Sequence, residues 1–508
     1  MEAKSGGATT QGVTFLRRLQ ARYLGEEDAS GLVFFRIMWG VAMAVEACRY
    51  LFSGWVTRYF VAPDFLFKYP CFEWVSPLPG SGMHVLYVGM GVAGLCVALG
   101  VGYRWAALFG FVAHTYAFLC AASRYLNHGY LIGLVSLLVL CMPLDRAGSL
   151  RAMRNPQWGR QTLPSWPRLL LIAQVLVVYF YGAVAKVNRD WLEYHQPIGQ
   201  WLLHSASGLP DPFAGWVVSR PFLHVVAYGG VLFDLCVGPA LLWRRTRWLA
   251  LLASAFFHLS NSVLFSIGIF PWLMLGITTV FLPPQWPRCL PCGLGALWSR
   301  WLARCARSAD SSLEAGSSVS SSQSGVSAGA SAETFPMGRP YRRWVWVGSV
   351  MWIGLQVLLP LRHHLYPGPV VWNEAGHRGA WRMKLRSKGG RVTYRVQDLG
   401  STRRWSVNPA DELTRKQVAK IQGQPDFILQ YARHLAAGYR HKVEGGQVAV
   451  FADAWVALNG RPAQRFVDPS VDLLQVKLGP LHGVDWLQPF TWEPPPLPPQ
   501  LRGRGAER

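Results

Sequence analysis

The chain has 508 residues, of which 51% are hydrophobic and only 15% charged, and its formal net charge at pH 7 is +23. Soluble domains carry about 25% charged residues, so the composition excludes an ordinary soluble enzyme and points to a polytopic membrane protein with an added polar portion. Such a charge suggests nucleic acid in a soluble protein, but here the arginines cluster between apolar runs, which is the pattern of cytoplasmic loops, and a nucleic-acid partner is set aside.

Residues 1–30 are polar, with Arg17, Arg18 and Arg22 followed by Glu26, Glu27 and Asp28. No short apolar core precedes a small-residue cleavage site, so this segment reads as a cytoplasmic N-terminal stretch rather than a secretory signal. Apolar runs then predict helices at about 31–52, 83–101, 104–122, 129–143, 169–187, 222–243, 248–265 and 267–283, a bundle over 31–283. Residues 284–343 form a further arginine-bearing loop, within which 308–334 is rich in Ser, Gly and Ala and reads as a disordered linker. A last span follows at 344–361. The expected fold class is therefore an all-α membrane bundle of eight or nine spans followed by a mainly β extramembrane domain with some helix. Arginines concentrate in the loops that a cytoplasmic N-terminus puts inside. With nine spans this places everything after Leu361 on the periplasmic or lumenal side, in a bacterial inner membrane or the endoplasmic reticulum.

Beyond the last span the pattern changes. Trp381, Met383 and Leu385 alternate with polar residues, as do Val392, Tyr394 and Val396, and both read as strands. Asp411–Gln422 and Asp426–Tyr439 read as helices. Asn459–Gly460 between two apolar runs is a strong type I′ hairpin signal. Residues 362–492 thus read as one small domain, and 493–508 as a proline-rich tail. Of nine cysteines, Cys289 and Cys292 form a single CxxC, weak evidence for zinc or redox work without a second pair.

Lys186 stands in the last turn of the run Leu169–Trp191, LLLIAQVLVVYFYGAVAKVNRDW. Two readings stay open. Its ammonium snorkels to the headgroups, or it sits desolvated inside the bundle, where burial disfavours the charged form and makes the amine a base. Asn127 and His128 in RYLNHGYLIGL, and His258 and Asn261 in FFHLSNSVLFSIGIFPW, fall at the same outer depth by the topology above. His258 and Asn261 are three apart and share a helix face. Each cluster alone suits a structural hydrogen bond between helices. Together they suit an outward cavity for proton abstraction from a lipophilic molecule. Residues 361–388 carry His363, His364, His377, Arg378, Arg382 and Arg386, a basic, aromatic surface suited to accepting acidic peptide or to ordering the domain against headgroups. Adjacent His363 and His364 lack further ligands at zinc-like spacing, and no metal is expected.

The motifs VYFYGAVAKVNRDW, LNHGYLIGL, FHLSNSVLFSIGIFPWLML, the HHLYPG…W…WRM block, VFADAWVALNGRPAQRFVDPSVDLLQ and DWLQPF together resemble vitamin K-dependent γ-glutamyl carboxylases of the HTTM membrane-domain type, over about Ser30 to Pro489. The chain looks like a microbial member. The resemblance implies oxygenation of reduced vitamin K, a naphthohydroquinone, to its epoxide, which drives CO2 addition to peptidyl glutamate. It implies Lys186 as the base that deprotonates the hydroquinone and His128 as its assistant, without a metal. Asn127, Tyr179, His258, Asn261 and Phe265 are then expected to contact the quinone. Trp381, Arg382, Arg386 and His377 are expected to contact a glutamate-containing peptide or protein. Animal members tie an early lumenal loop to the C-terminal domain by a disulfide. Here Cys71 sits in the first outer loop, but the partner region LQYARHLAAG has His434 and no cysteine. The alternatives are a quinone epoxidase without carboxylation, and a non-enzymatic membrane receptor or immunity protein of the same family that binds a peptide through its outer domain.

Overall fold

A computed structural model of the chain describes residues 18–206, 208, 210–264, 268–291, 293–306, 338–477 and 485–496. The expected linker at 308–334, most of the proline-rich tail, Phe265 and Cys292 lie outside the described residues.

The main helices of the first part are α1 (Ser30–Phe52), α2 (Gly82–Leu99), α3 (Tyr103–Cys120), α4 (Asn127–Cys141), α5 (Trp166–Lys186), the single turn α6 (Arg189–Leu192), α7 (Arg220–Leu242), α8 (Arg247–Leu264), α9 (Phe270–Thr278), α10 (Leu294–Ala306) and α11 (Arg339–Leu358). Helices α1, α2, α5 and α7, and α11 with its extension to Leu365, are long and apolar enough to cross a membrane. Helices α3, α4, α8 and α9 lie where the sequence placed further spans but are shorter or less apolar. Five helices of spanning character therefore stand where eight or nine crossings were expected. Proline in the first turn starts α5 and α7, and a left-handed Gly100 (φ 68°) ends α2. Where α1 crosses α2, a Cβ on Gly40 would lie 2.4 Å from the Gly94 carbonyl oxygen. Only glycine permits that approach, and close backbone contact is how apolar helices associate without a hydrophobic drive.

One charged residue organises one end of this bundle. Arg36 of α1 is fully buried and donates to the carbonyl oxygens of Ala98, Leu144, Ala147 and Gly148 at 3.3, 2.7, 2.8 and 2.5 Å. It so ties α1 to the end of α2 and to the turn after α4. The acidic stretch Glu26–Asp28, expected as part of a polar tail, instead forms strand β1, antiparallel to β2 (Thr162–Pro164). Arg168 pairs with Glu27 at 2.8 Å beside it.

The second part holds β3 (Lys388–Asp398), β4 (Arg404–Val407), α12 (Arg415–Ile421), α13 (Pro425–Arg440), β5 (Val448–Leu458) and β6 (Gln464–Arg465). The sheet order is β4-β3-β5-β6, all antiparallel. Val392, Tyr394 and Val396 of β3 and Val450, Ala452, Ala454 and Val456 of β5 point to one buried face. Phe427, Ile428, Tyr431 and Leu435 of α13 join them in one core, with Phe67 and Tyr69 of the loop between α1 and α2. That loop is thus part of the second core, not a free connection.

The expected strand at Trp381–Leu385 does not form. Trp381 (φ 54°) and Lys384 (φ 56°) turn the chain twice before β3 begins at Lys388. The apolar residues that mimicked strand alternation serve another purpose: Trp381 is buried within the core of the helical bundle, and Met383 packs against it. The Asn459–Gly460 turn forms with both φ angles positive, 51° and 84°.

Candidate functional site

Helix α5 is buried along a face that includes Tyr179, Gly182 and Lys186. The Lys186 side chain is only 8% exposed. Its amine bonds to the Asp234 carboxylate of α7 and to the Gly182 carbonyl oxygen at 3.3 Å, and lies 5.6 Å from the Trp191 ring. The amine therefore turns into the bundle rather than towards headgroups. Asp234 escaped the sequence reading. Its signal was available, because it is the one acidic residue in the apolar run 222–243, and an ionisable residue in such a run marks a functional position by default. Gly182 admits the pair: a Cβ there would lie 3.0 Å from the nearer Asp234 oxygen and 3.4 Å from the Met383 methyl.

One face-length along α5, the Tyr179 hydroxyl and His258 Nε2 share a hydrogen bond of 2.9 Å, both side chains buried. His258 Nδ1 is buried without a partner. Phe233, next to Asp234 on α7, meets the Tyr179 ring edge-on at 6.0 Å. The Phe270 ring of α9 lies 6.1 Å from the His258 ring and 5.8 Å from the His128 ring. His258, Phe270 and His128 thus form a run of rings across α8, α9 and α4. Asn261 does not join it by hydrogen bond: its amide donates to the Phe257 carbonyl of its own helix at 2.8 Å. Asn127 is half-buried and accepts from the Tyr125 hydroxyl at 2.9 Å, and that hydroxyl accepts from the Gly379 backbone N–H at 2.6 Å.

The 377–388 block meets the same region from the second part of the chain. The fully buried Trp381 ring lies 5.3 Å from Tyr130 of α4, with its indole N–H unpaired. His377 and Arg386, expected as substrate contacts, are engaged internally. Both surround Glu374, whose carboxylate lies 2.7 Å from Arg386 Nε, 2.8 Å from Lys388 Nζ and 3.2 Å from His377 Nδ1. Burial alone raises the Glu374 carboxyl, but the Arg386 and Lys388 cations outweigh it and hold it down at about 2. Burial, helped by Arg386, pushes His377 well below the usual imidazole range, so it stays neutral. Glu374 was also missed, although it is the single acid in residues 361–388. Arg382 is half-buried beside this cluster. Cys71 is free and exposed, and with His434 it lines a groove of about 770 Å³ between the α1–α2 loop and α13. Among the described residues no three His, Cys, Asp or Glu side chains gather in a metal-holding group.

Residues 25–286 match the HTTM domain family. Residues 341–493 match the family described as the lumenal domain of vitamin K-dependent gamma-carboxylase. No solved structure matches the chain.

Proposed function

The chain belongs to the HTTM-domain family of gamma-carboxylase homologues, and from that premise we propose that it is an integral membrane enzyme that binds a reduced naphthoquinone of the vitamin K type and carboxylates glutamate in a peptide or protein. When bound, the hydroquinone supplies the chemistry: O2 converts it to the epoxide, with release of a base strong enough to take the glutamyl γ-proton so that CO2 adds. The site residues do the rest. For Lys186 to receive the hydroquinone proton at Nζ its amine must first be neutral; the Asp234 carboxylate is then the counter-charge of the ammonium formed. Tyr179 orients His258, whose unpaired Nδ1 offers a buried hydrogen-bond partner for a ring oxygen. His128, with Asn127 beside it, assists from the far side of Phe270. Phe265 and Asn261 complete the quinone contacts in this reading. The aromatic run of Phe233, Phe270 and Tyr179 suits a flat apolar ring and keeps water from the proton. No metal is needed for any of these roles.

The observation that carries the reading is the seating of Trp381 and Met383, from the matched lumenal domain, against the helices that bear Lys186 and Asn127. In this reading that contact joins the glutamyl side of the protein to the quinone side. On the glutamyl side this reading keeps Trp381 and Arg382 as substrate contacts, because Glu374 already pairs with Arg386 and lies against His377. That internal pairing also favours the second reading, a quinone epoxidase whose glutamyl site has diverged. The outer domain lies in the periplasm or lumen in either case.

The test uses purified full-length protein with vitamin K hydroquinone, O2, labelled bicarbonate and a short glutamate-containing peptide. Epoxide and label both formed by wild type, and both lost in Lys186→Ala, is the expected result. Epoxide without label supports the second reading. Neither product across a range of quinones and peptides rejects the enzyme.

A further inference from the structure

The Asn459–Gly460 turn was legible as a hairpin, yet a hairpin needs nothing more than two residues of positive φ. Here the turn is driven into the membrane part. Asn459 is fully buried and Arg461 nearly so. The Asn459 amide donates to Asp190 at 2.7 Å and to the Leu385 carbonyl at 3.3 Å, and its oxygen accepts from the Ser387 N–H at 2.8 Å. Glycine or aspartate at 459 would satisfy the turn, but only an amide gives both donor and acceptor. Arg461 grips Asp190 with both terminal nitrogens at 3.0 and 2.6 Å and donates through Nε to the Glu493 carbonyl at 2.6 Å. Rings of Tyr194, Phe490 and Trp492 surround its guanidinium at 5.9, 5.6 and 5.5 Å.

Asp190 lies four residues after Lys186. Its turn, α6, is capped by Asn188, whose side-chain oxygen accepts from the Trp191 N–H at 3.0 Å. The Trp191 indole donates to the Ala227 carbonyl of α7, and its ring lies beneath the Lys186 amine. A rigid path therefore runs from the 459–461 turn through Asp190 and Trp191 to Lys186, and a second from Asn459 to Leu385 and Ser387, at the end of the Trp381–Arg386 block.

We propose that Asn459, Asp190 and Arg461 form a latch that holds the end of the Lys186 helix and the Trp381–Arg386 block in one register, making them positioning residues for the base. The proposal rests on the reading of Lys186 as that base. A buried carboxylate that accepts three donors from the other part of the chain is an all-or-none contact: partial release leaves a charge without partners. The turn that follows Lys186 is consequently ordered only while the second part of the chain is seated on it.

The experiment compares wild type with Asn459→Gly, which keeps the positive φ and removes the amide, and with Arg461→Lys, which keeps a cation and loses the fork. Hydrogen exchange on full-length protein in nanodiscs reads the latch independently of activity. Exchange at 187–194 and at 385–388 is expected to rise together by at least tenfold in Asn459→Gly, and in the same direction by less in Arg461→Lys, while 448–458 keeps its protection. Epoxide formation is expected to lose at least tenfold in kcat with the quinone KM within twofold. A rise in only one of the two segments, or unchanged kcat in an active protein, overturns the latch. If Asn459→Gly does not fold, Arg461→Lys decides by the same two-segment criterion. If wild type forms no epoxide, the Lys186 reading fails and the exchange result alone decides the latch.

Discussion

The Lys186 amine at the end of α5 and the Asp234 carboxylate of α7 form a buried ion pair, with side chains 8% and 5% exposed. Removing one member of such a pair leaves an uncompensated charge and costs about 3–5 kcal/mol, whereas replacing both with apolar groups of similar volume is close to neutral. Lys186→Met and Asp234→Leu are each expected to lower the unfolding temperature of the detergent-solubilised protein. The double variant is expected to recover most of that loss while forming no epoxide. Additive losses would show that the two groups do not interact energetically.

Gly182 tests the geometry of the same pair without touching its chemistry. The methyl of Gly182→Ala lands 3.0 Å from the Asp234 oxygen and 3.4 Å from the Met383 methyl, and such overpacking costs about 1–3 kcal/mol. Because small misplacements of reacting groups are expensive, the rate of epoxide formation is expected to fall by roughly ten- to a hundredfold. Initial rates at saturating quinone check this. An unchanged rate would mean that Asp234 and Met383 yield freely.

Glu374 makes the second part of the chain acid-sensitive. Its carboxyl is held at about 2, against an ordinary 4.5, so the unfolded chain binds more protons between those values. The stabilisation is present in full above about pH 4.5 and is lost as pH falls through the window to 2, an effect of about 3 kcal/mol. His377, kept neutral in the fold, adds to the loss on the acid side, because the unfolded imidazole takes up a proton first. Tryptophan fluorescence of the full-length protein during denaturant unfolding, between pH 7 and pH 2, reads this slope. Glu374→Gln is expected to flatten it and to lower stability at neutral pH, where Arg386 and Lys388 lose their counter-charge. A wild type equally stable at pH 4.5 and pH 2 would rule out the cluster's contribution.

Arg36 predicts a large effect far from the chemistry. Arg36→Met removes the donor from four backbone carbonyls at once, and an unsatisfied buried acceptor costs about 1–3 kcal/mol. The variant is expected to lose most of its monodisperse protein on purification. Arg36→Lys, with three donors, is expected to keep part of it. Size-exclusion profiles and thermal unfolding measure both.

The sequence by itself determined the membrane character of the chain, its helical first part, the β-containing second part with its Asn459–Gly460 turn, and the family, but not the number of helices long and apolar enough to span. These follow from local patterns: apolar runs, a period of two along β3 and β5, turn chemistry and motif spelling. It also marked Lys186, His128 and His258 as unusual, because each is a polar group in an apolar run. Only the tertiary structure decided what they touch. Asp234 pairs with Lys186 across 48 residues, Glu374 takes up Arg386 and His377, and Arg461 reaches Asp190 across 271. Trp381–Leu385 alternated like a strand, yet burial of Trp381 against the bundle outweighed that pattern. The physical reason is common to all of these. Periodicity reports which face of an element is buried, but the partner of a buried charge or ring is set by which helices and turns pack together, and no local spacing encodes that.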